Sequence, residues 1–158
     1  MSEDTATTDS GVVLSEVLSP YYRPADNTIV CGALDKDKVQ ALADAGVELV
    51  INLQPEDELT FDEAAAVQEA GMIYAALPIR GEDDLKQVVM LEFDKLLRQY
   101  HDKKMVLHCK SGNRVGAAIA LRAGWLRGRK IETALERGQQ HGLTGLQEVV
   151  HQRLLVPR

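Results

Sequence analysis

Apolar and polar positions along this chain fall into alternating blocks that predict strands separated by helices. Short apolar runs bounded by polar or breaking residues are typical of buried strands. They occur at 28–32, 47–53, 72–77 and 105–109. Apolar residues at helical spacing fill the intervals and the end of the chain. These helices are predicted at 35–45, 60–70, 84–100, 114–126, 131–137 and 144–155. The alternation indicates an α/β fold with a mostly parallel central sheet flanked by helices on both faces.

Capping residues set several of the predicted helix ends. Asp35 can cap the first helix, and Gly46 can stop it. Thr60–Glu63 and Asp84–Gln87 both have the form of a capping box. The helix that follows Asp84 is amphipathic and is expected to bury one face. That face carries Leu85, Val88, Val89, Phe93, Leu96, Leu97 and Tyr100.

The segment from Met105 to Gly116 combines a possible nucleophile with a possible anion site. The apolar strand ends in His108-Cys109, and Arg114 opens a helix rich in small residues. In a strand–loop–helix arrangement the loop amides and the helix N-terminus can surround an anion and stabilise a thiolate. The arginine adds a planar fork that matches two oxygens of a phosphate-like group. The predicted anion loop is Lys110, Ser111, Gly112, Asn113 and Arg114.

The two cysteines of the chain receive different interpretations. Cys31 lies in a strand pattern with no glycine loop or arginine behind it, so we interpret it as a buried, inert thiol. Cys109 has a glycine three residues later and an arginine five residues later, ahead of a helix. This set favours a catalytic thiolate at Cys109 over a structural cysteine.

Composition and charge exclude several function classes. The 158 residues suffice for one domain, which we place at 12–158, after a polar segment 1–11 predicted to be disordered. The net charge of −6 argues against a general nucleic-acid binder, and no apolar run is long enough to span a membrane. The absence of a signal-peptide pattern favours a cytoplasmic location. The other histidines show no metal-ligand spacing, and no cofactor motif is present, so we expect neither metal nor cofactor. These histidines are His101, His141 and His151.

The cysteine loop and the segments around it resemble a known family. Val106-Leu-His-Cys109 with a glycine-containing loop and Arg114 is similar to the cysteine-dependent phosphatases of the tyrosine and dual-specificity type. The segments 29–34, 49–53 and 70–78 follow the same order as in that group. The closest similarity is to a small bacterial phosphatase-like family whose domain also accompanies beta-lactamase-like hydrolases. The resemblance extends over roughly 28–137 and implies a tyrosine/dual-specificity phosphatase-like fold.

Two departures from the phosphatase pattern leave other functions open. Four residues separate Cys109 from Arg114, whereas the phosphatase signature has five. The shorter spacing is that of rhodanese-type sulfurtransferases, in which Cys109 would carry a persulfide. Val115 stands where both families usually have Ser or Thr, although Ser111 offers another hydroxyl. A non-catalytic module that binds an anion or a phosphopeptide is the third possibility. The N-terminal half lacks the usual rhodanese segments, so the phosphatase interpretation is preferred.

The phosphatase resemblance implies roles for individual residues. Cys109 would attack phosphorus, Arg114 and the loop amides would hold the phosphoryl oxygens, and His108 would position the cysteine from beneath the loop. The family carries its general acid in the loop after the strand that ends at Leu77-Pro78. The candidates there are Glu82, Asp83 and Asp84, of which we favour Asp83; Arg80 could attract an anionic substrate.

The expected substrate is a phosphate-bearing or other small anion. The chain has only seven aromatic residues, one Trp, four Tyr and two Phe, so the sequence does not single out phosphotyrosine. Nothing in it indicates an oligomeric state.

Overall fold

The computed structural model of the chain describes residues 8–9 and 12–156, with side chains described from residue 13. The predicted disordered segment 1–11 lies outside this part, apart from two residues. Those two, Thr8–Asp9 (β1), pair antiparallel with Val12–Val13 (β2).

A five-stranded sheet forms the centre of the fold and carries the cysteine loop at one end. Its order is β3-β4-β7-β5-β6. Four of the strands are parallel neighbours, and β3 pairs antiparallel with β4 at the edge. The strands are Tyr21–Ala25 (β3), Thr28–Cys31 (β4), Leu49–Asn52 (β5), Ile73–Ala76 (β6) and Met105–His108 (β7). This confirms the predicted mostly parallel sheet and the central place of the strand before Cys109.

Helices cover both faces of the sheet. A core against α1, α2 and α3 includes Leu14, Leu42 and Val67; a second, against α4, α5 and α7, includes Phe93 and Leu121. Every residue of β5 and β7 is buried, as expected for strands covered on both sides. The helices are Leu14–Val17 (α1), Lys36–Asp44 (α2), Glu63–Glu69 (α3), Gln87–Gln99 (α4), Asn113–Leu121 (α5), Ile131–Gln140 (α6) and Gln147–Leu155 (α7). Short 3₁₀ turns occur at Glu56–Glu58 and Glu82–Asp84, and a π-helical turn, Arg122–Leu126, extends α5.

Both predicted capping boxes are wrong. Helix α3 begins at Glu63, and its cap is Asp62, whose side chain accepts a hydrogen bond from the Ala65 amide at 3.1 Å. Helix α4 begins only at Gln87, because the preceding residues form the 3₁₀ turn. The Asp84 carboxylate instead accepts a hydrogen bond from the Arg80 amide at 2.8 Å.

The later start of α4 also changes its buried face. Val88, predicted to be in the core, is 61% exposed, whereas Met90 is fully buried. Phe93 and Leu85 are buried as expected. The prediction for Asp35 is confirmed: it caps α2 by accepting from the Lys38 amide.

Helix α5, which follows the cysteine loop, packs closely on the turn after α6 through a glycine. A Cβ on Gly116 would lie 2.6 Å from the Gly138 carbonyl oxygen and closer still to the Leu143 amide nitrogen. Both of these atoms belong to backbone, which cannot rotate away as a side chain can. Gly116 therefore sets how near α5 can lie to the C-terminal helices.

We expect Gly116→Ala to destabilise the fold by about 3 kcal/mol, the upper part of the range for overpacking. Gly81→Ala is the matched control: a Cβ there has nothing within 4 Å, and its φ of 173° is extended backbone. That variant should stay within about 1 kcal/mol of wild type. Urea unfolding measures both. Equal effects of the two substitutions would contradict the close contact.

Candidate active site

Cys109 lies directly after the central strand β7, and its side chain is fully buried. The Gly112 amide donates a hydrogen bond to Cys109 Sγ at 3.0 Å. A backbone N–H directed at sulfur stabilises the thiolate, the form that attacks electrophiles. The structure thus places the cysteine and the start of α5 as the sequence predicts.

Gly112 is the residue that lets the loop turn into α5. Its φ is +86°, in the left-handed region where side chains are strained. A Cβ would also lie 3.2 Å from Tyr22 Cε1 of the edge strand. Glycine is therefore required here both by the backbone angle and by the space available.

The other loop residues differ in what their side chains contact. Lys110 and Ser111 are exposed. Asn113 Oδ1 accepts hydrogen bonds from the amides of Thr144 and Leu146 at 2.9 and 3.1 Å, which turns the side chain towards the chain end. The side-chain oxygen of Asn113 is therefore engaged with the backbone of residues 144 and 146.

Arg114 is held by a carboxylate that sequence reasoning missed. Its Nη1 and Nη2 atoms donate to the two carboxylate oxygens of Glu58 at 3.1 and 2.8 Å. Nη1 also donates to the Ile79 carbonyl at 2.8 Å. Among the described residues, none accepts a hydrogen bond from Arg114 Nε, so the edge formed by Nε and Nη2 is left for an oxyanion. The guanidinium is thereby oriented in advance, which favours bidentate recognition.

The 3₁₀ turn Glu56–Glu58 links the cysteine loop to the loop after β6. Glu58 binds Arg114, and the neighbouring Asp57 forms an exposed ion pair with Arg80 at 3.0 Å. Arg80 is thus paired with a carboxylate in this structure. An exposed pair of this kind contributes little to stability, so the Glu58 contact is the stronger of the two.

The Arg114 hydrogen bonds hold the pKa of Glu58 below its usual range. A carboxyl whose folded pKa is depressed adds stability above its unfolded pKa of about 4.3, and this stability is lost as the pH falls through the folded value. We expect Glu58→Gln to cost about 1 kcal/mol at pH 7, and less at about pH 4 and below. Asp57→Asn, in the same turn, should cost less than about 0.5 kcal/mol. Urea unfolding at both pH values is the measurement; a pH-independent loss would contradict the assignment.

His108 makes a buried contact that the sequence did not predict. Its Nε2 lies 2.6 Å from Glu63 Oε2, and both side chains are fully buried. Glu63, predicted as part of a capping box, instead contacts the residue before the cysteine. With the carboxylate as acceptor, the Nε2–H donates, and the imidazole ring is held against the first residue of α3.

The three candidates for the general acid share the 3₁₀ turn Glu82–Asp84. Asp84 is engaged by the Arg80 amide, and the Glu82 backbone carbonyl accepts from Arg153. Asp83 is exposed, and none of the described residues donates a hydrogen bond to its carboxylate. The role of Asp83 stays a prediction.

The remaining features of the site are a buried valine and a second buried thiol at the end of the neighbouring strand β4. Val115 is fully buried in the core and brings no hydroxyl to the loop. Cys31 is buried in the core of the opposite sheet face, and burial raises the pKa of its thiol well above the ordinary value. A thiol kept protonated in this way is unreactive.

Metal-ligating side chains do not cluster within the described part of the chain, where no group of three His, Cys, Asp or Glu residues could hold an ion. None of the helices in that part has the length and apolar character needed to cross a membrane.

Several solved structures of phosphatases and putative phosphatases have a fold similar to that of this chain. A DUF442 protein from Shewanella putrefaciens superposes with a TM-score of 0.68 at 19% identity, covering 89% of this chain and 94% of that one. TpbA of P. aeruginosa in complex with pTyr superposes with a TM-score of 0.58 at 17% identity, covering 87% of this chain and 98% of that one. PTPMT1 in complex with PI(5)P superposes with a TM-score of 0.64 at 19% identity, covering 85% of this chain and 96% of that one. No protein-family model and no curated protein matches the sequence.

The fold is therefore that of the tyrosine and dual-specificity phosphatases, as the sequence resemblance implied. Within this fold the chain carries a cysteine loop one residue shorter than the phosphatase signature.

Proposed function

We propose that the protein is a cysteine-dependent phosphatase acting on phosphomonoesters. The observation that carries the proposal is Arg114, fixed by Glu58 and the Ile79 carbonyl with its Nε edge free, at the start of the helix that follows buried Cys109. This is the arrangement that a transferring phosphoryl group requires: a nucleophile together with preorganised donors for its oxygens.

In the proposed mechanism the Cys109 thiolate attacks phosphorus, and the bond from phosphorus to the leaving oxygen breaks. Asp83 gives its proton to that oxygen. Water then attacks the phosphorus of the thiophosphate and gives a proton to the Asp83 carboxylate, and the bond from phosphorus to sulfur breaks, which releases phosphate and restores the thiolate. Arg114 and the amides of the loop 110–114 bind the equatorial oxygens through both steps. No metal or cofactor takes part in this scheme.

The substrate in this proposal is a phosphate-bearing anion, and the site of action is the cytoplasm. Neighbours with this fold have been solved with pTyr and with PI(5)P, both phosphate monoesters on very different carriers. Their common feature is the phosphate group, which supports a phosphomonoester without selecting the carrier. We assign the activity to a single domain at 12–158.

Sulfur transfer is the second candidate, and the loop length favours it. Four residues between Cys109 and Arg114 give a tighter ring of amides than the five of the phosphatase signature. The Gly112 amide donates a hydrogen bond to the Cys109 sulfur. A persulfide on Cys109 would fit this ring. The reaction would need no proton donor in the turn Glu82–Asp84.

Leaving-group dependence tests the phosphatase proposal and its general acid together. Wild type should hydrolyse both p-nitrophenyl phosphate and phenyl phosphate. Asp83→Asn should slow the phenyl ester by about 10²-fold or more and the nitrophenyl ester far less, because only the poorer leaving group needs the proton. Glu82→Gln serves as the control in the same turn.

Three outcomes would change the proposal. If only Glu82→Gln slowed hydrolysis of phenyl phosphate more than that of p-nitrophenyl phosphate, the role of general acid would be assigned to Glu82. Cyanide-dependent thiocyanate formation from thiosulfate, with a sulfur adduct on Cys109 and no phosphate ester hydrolysis, would replace the phosphatase with a sulfurtransferase. Phosphate or sulfate binding without turnover in either assay would indicate a binding module.

A further inference from the structure

The central sheet has two edges, and they are protected to different degrees. At one edge, β3 carries Arg23 and Pro24, and its pairing with β4 shifts register between Tyr22 and Ala25. A charge, a proline and an irregular register each keep an edge strand from pairing with another chain. At the other edge, β6 has the sequence Ile-Tyr-Ala-Ala, with none of these features, and Ile73 is 39% exposed. The edge of β6 is therefore open to an added strand.

The backbone of β6 has hydrogen-bonding groups left over at this edge. The amides of Ile73 and Leu77 donate to carbonyls on the β5 side, each at 2.9 Å. Bonding along a parallel pair of strands alternates, so the N–H and C=O groups of Tyr74 and Ala76 point away from β5. No strand in the described part of the chain lies beyond β6 in this sheet. These four backbone groups can therefore hold two residues of an antiparallel strand.

A cavity of about 490 Å³ lies along the same edge, on the α3 face of the sheet. It is lined by Tyr74 and Ala76 of β6 and by Pro78 beyond it. The exposed residues Glu56 and Asp62 also line it, and no lysine, arginine or histidine of the described residues does. Directly opposed residues of two strands share one face of a sheet, so residues opposite Tyr74 and Ala76 would place their side chains over this cavity. Charge complementarity favours basic side chains there.

The edge of β6 leads to the candidate active site. The strand ends at Ala76, and the Ile79 carbonyl beyond it accepts a hydrogen bond from Arg114 at 2.8 Å. Strand β7, which Cys109 follows, is the second strand from β6 in the sheet order. An added strand would lie about 14 Å from β7, a distance that about four extended residues span. A phosphoryl group at Cys109 and a strand on β6 can therefore belong to one peptide.

We propose that the edge of β6 binds an extended segment of a phosphorylated protein as an antiparallel strand, with basic side chains opposite Tyr74 and Ala76. The proposal makes a peptide the carrier of the phosphate, and that part rests on the proposed phosphatase function. The strand contact does not, because it uses backbone groups outside the cysteine loop. A second copy of this chain fits less well, since pairing two β6 edges would bring two acidic cavities to one face of the joined sheet.

A titration followed by NMR measures strand addition, with the full-length Cys109→Ser protein so that the phosphate is retained. The probe is the peptide acetyl-pTyr-Gly-Ser-Gly-Thr-Lys-Val-Lys-amide, whose two lysines face one side of an extended strand. Binding should saturate by about 5 mM and slow hydrogen exchange at the amides of Tyr74 and Ala76 about tenfold. N-methylation of both lysines should weaken binding about tenfold or more, whereas N-methylation of the threonine and valine should change it less than about threefold.

Protein variants test the same contact through kinetics. Ala76→Pro removes an outward N–H that takes no part in the pairing with β5. It should raise KM for the phosphopeptide about tenfold relative to KM for p-nitrophenyl phosphate, which is too small to reach the edge. Glu56→Gln should raise the same ratio about threefold. Glu69→Gln is the matched control at the other end of α3, and it should leave the ratio unchanged.

The outcomes separate this proposal from the phosphatase assignment. Unprotected Tyr74 and Ala76 amides at saturation, equal effects of the two N-methylated peptides, or a KM ratio insensitive to Ala76→Pro would each overturn it. A dimer of this chain that excludes the peptide and that Ala76→Pro dissociates would assign the edge to self-association instead. Strand addition without hydrolysis of either ester would support the peptide site and contradict only the phosphatase proposal.

Discussion

Cys109→Ser should reduce hydrolysis of p-nitrophenyl phosphate by about 10⁴-fold or more. A serine hydroxyl is not ionised near neutral pH, and no base contacts this side chain among the described residues. The Gly112 amide, which donates to Sγ at 3.0 Å, can stabilise a thiolate but cannot create an alkoxide. The measurement is the steady-state rate, together with phosphate affinity, which should change little because the loop amides and Arg114 remain.

Cys31→Ala supplies the control for cysteine chemistry. Cys31 is buried in the core on the other sheet face and takes no part in the proposed mechanism. Its replacement should leave the rate within about twofold of wild type once folding is verified. A rate lost equally in both cysteine variants would point to a folding effect and would contradict nucleophilic catalysis by Cys109.

Arg114→Lys should lower kcat/KM for the same ester by about 10²–10³-fold. Lysine keeps the positive charge but is a point donor, so it cannot bind the Glu58 carboxylate and an oxyanion edge at once. In the wild-type structure Nη1 and Nη2 already bind Glu58 while the Nε edge is left over. The loss should therefore appear in both kcat and phosphate affinity.

Arg98→Lys is a matched control for this substitution. Arg98 Nε donates to the Asp94 carboxylate at 2.8 Å on helix α4, so the same exchange disturbs an arginine–carboxylate contact outside the site. It should leave kcat/KM within about twofold. If Arg114→Lys also left kcat/KM unchanged, a positive charge at this position would be enough for the reaction, and the planar geometry of the guanidinium would have no part in it.

The elements that carry the nucleophile could be predicted from the sequence because their signals are local. The apolar run 105–108, the glycine of the loop and the small residues of α5 are each typical of one conformation, and all three agree. The edge strand β3 could not be predicted, because it has no such local signal. Its sequence, Tyr-Tyr-Arg-Pro-Ala, has neither an apolar run nor a clean alternation, and it forms a strand by pairing with β4.

The partners of the site residues could not be predicted because they come from distant parts of the chain. Glu58 lies 56 residues before Arg114, and Glu63 lies 45 residues before His108. One signal was available: the acidic run Glu56–Glu58 follows β5, and parallel strands end at the same edge of a sheet. That topology brings the run near Arg114, but it does not indicate which of the three carboxylates would bind the arginine.

The segment 143–146 supports the start of helix α5, although nothing in its sequence indicates this role. Asn113 at the start of α5 binds the amides of Thr144 and Leu146, and Gly116 lies against the turn at Leu143. All three partners lie beyond Arg137, where the family resemblance stops. A chain shortened to the recognisable motif would keep its nucleophile and its arginine and lose the support on which the first turn of α5 rests. The shortest chain that keeps the start of α5 supported is therefore longer than the segment that shows the family resemblance.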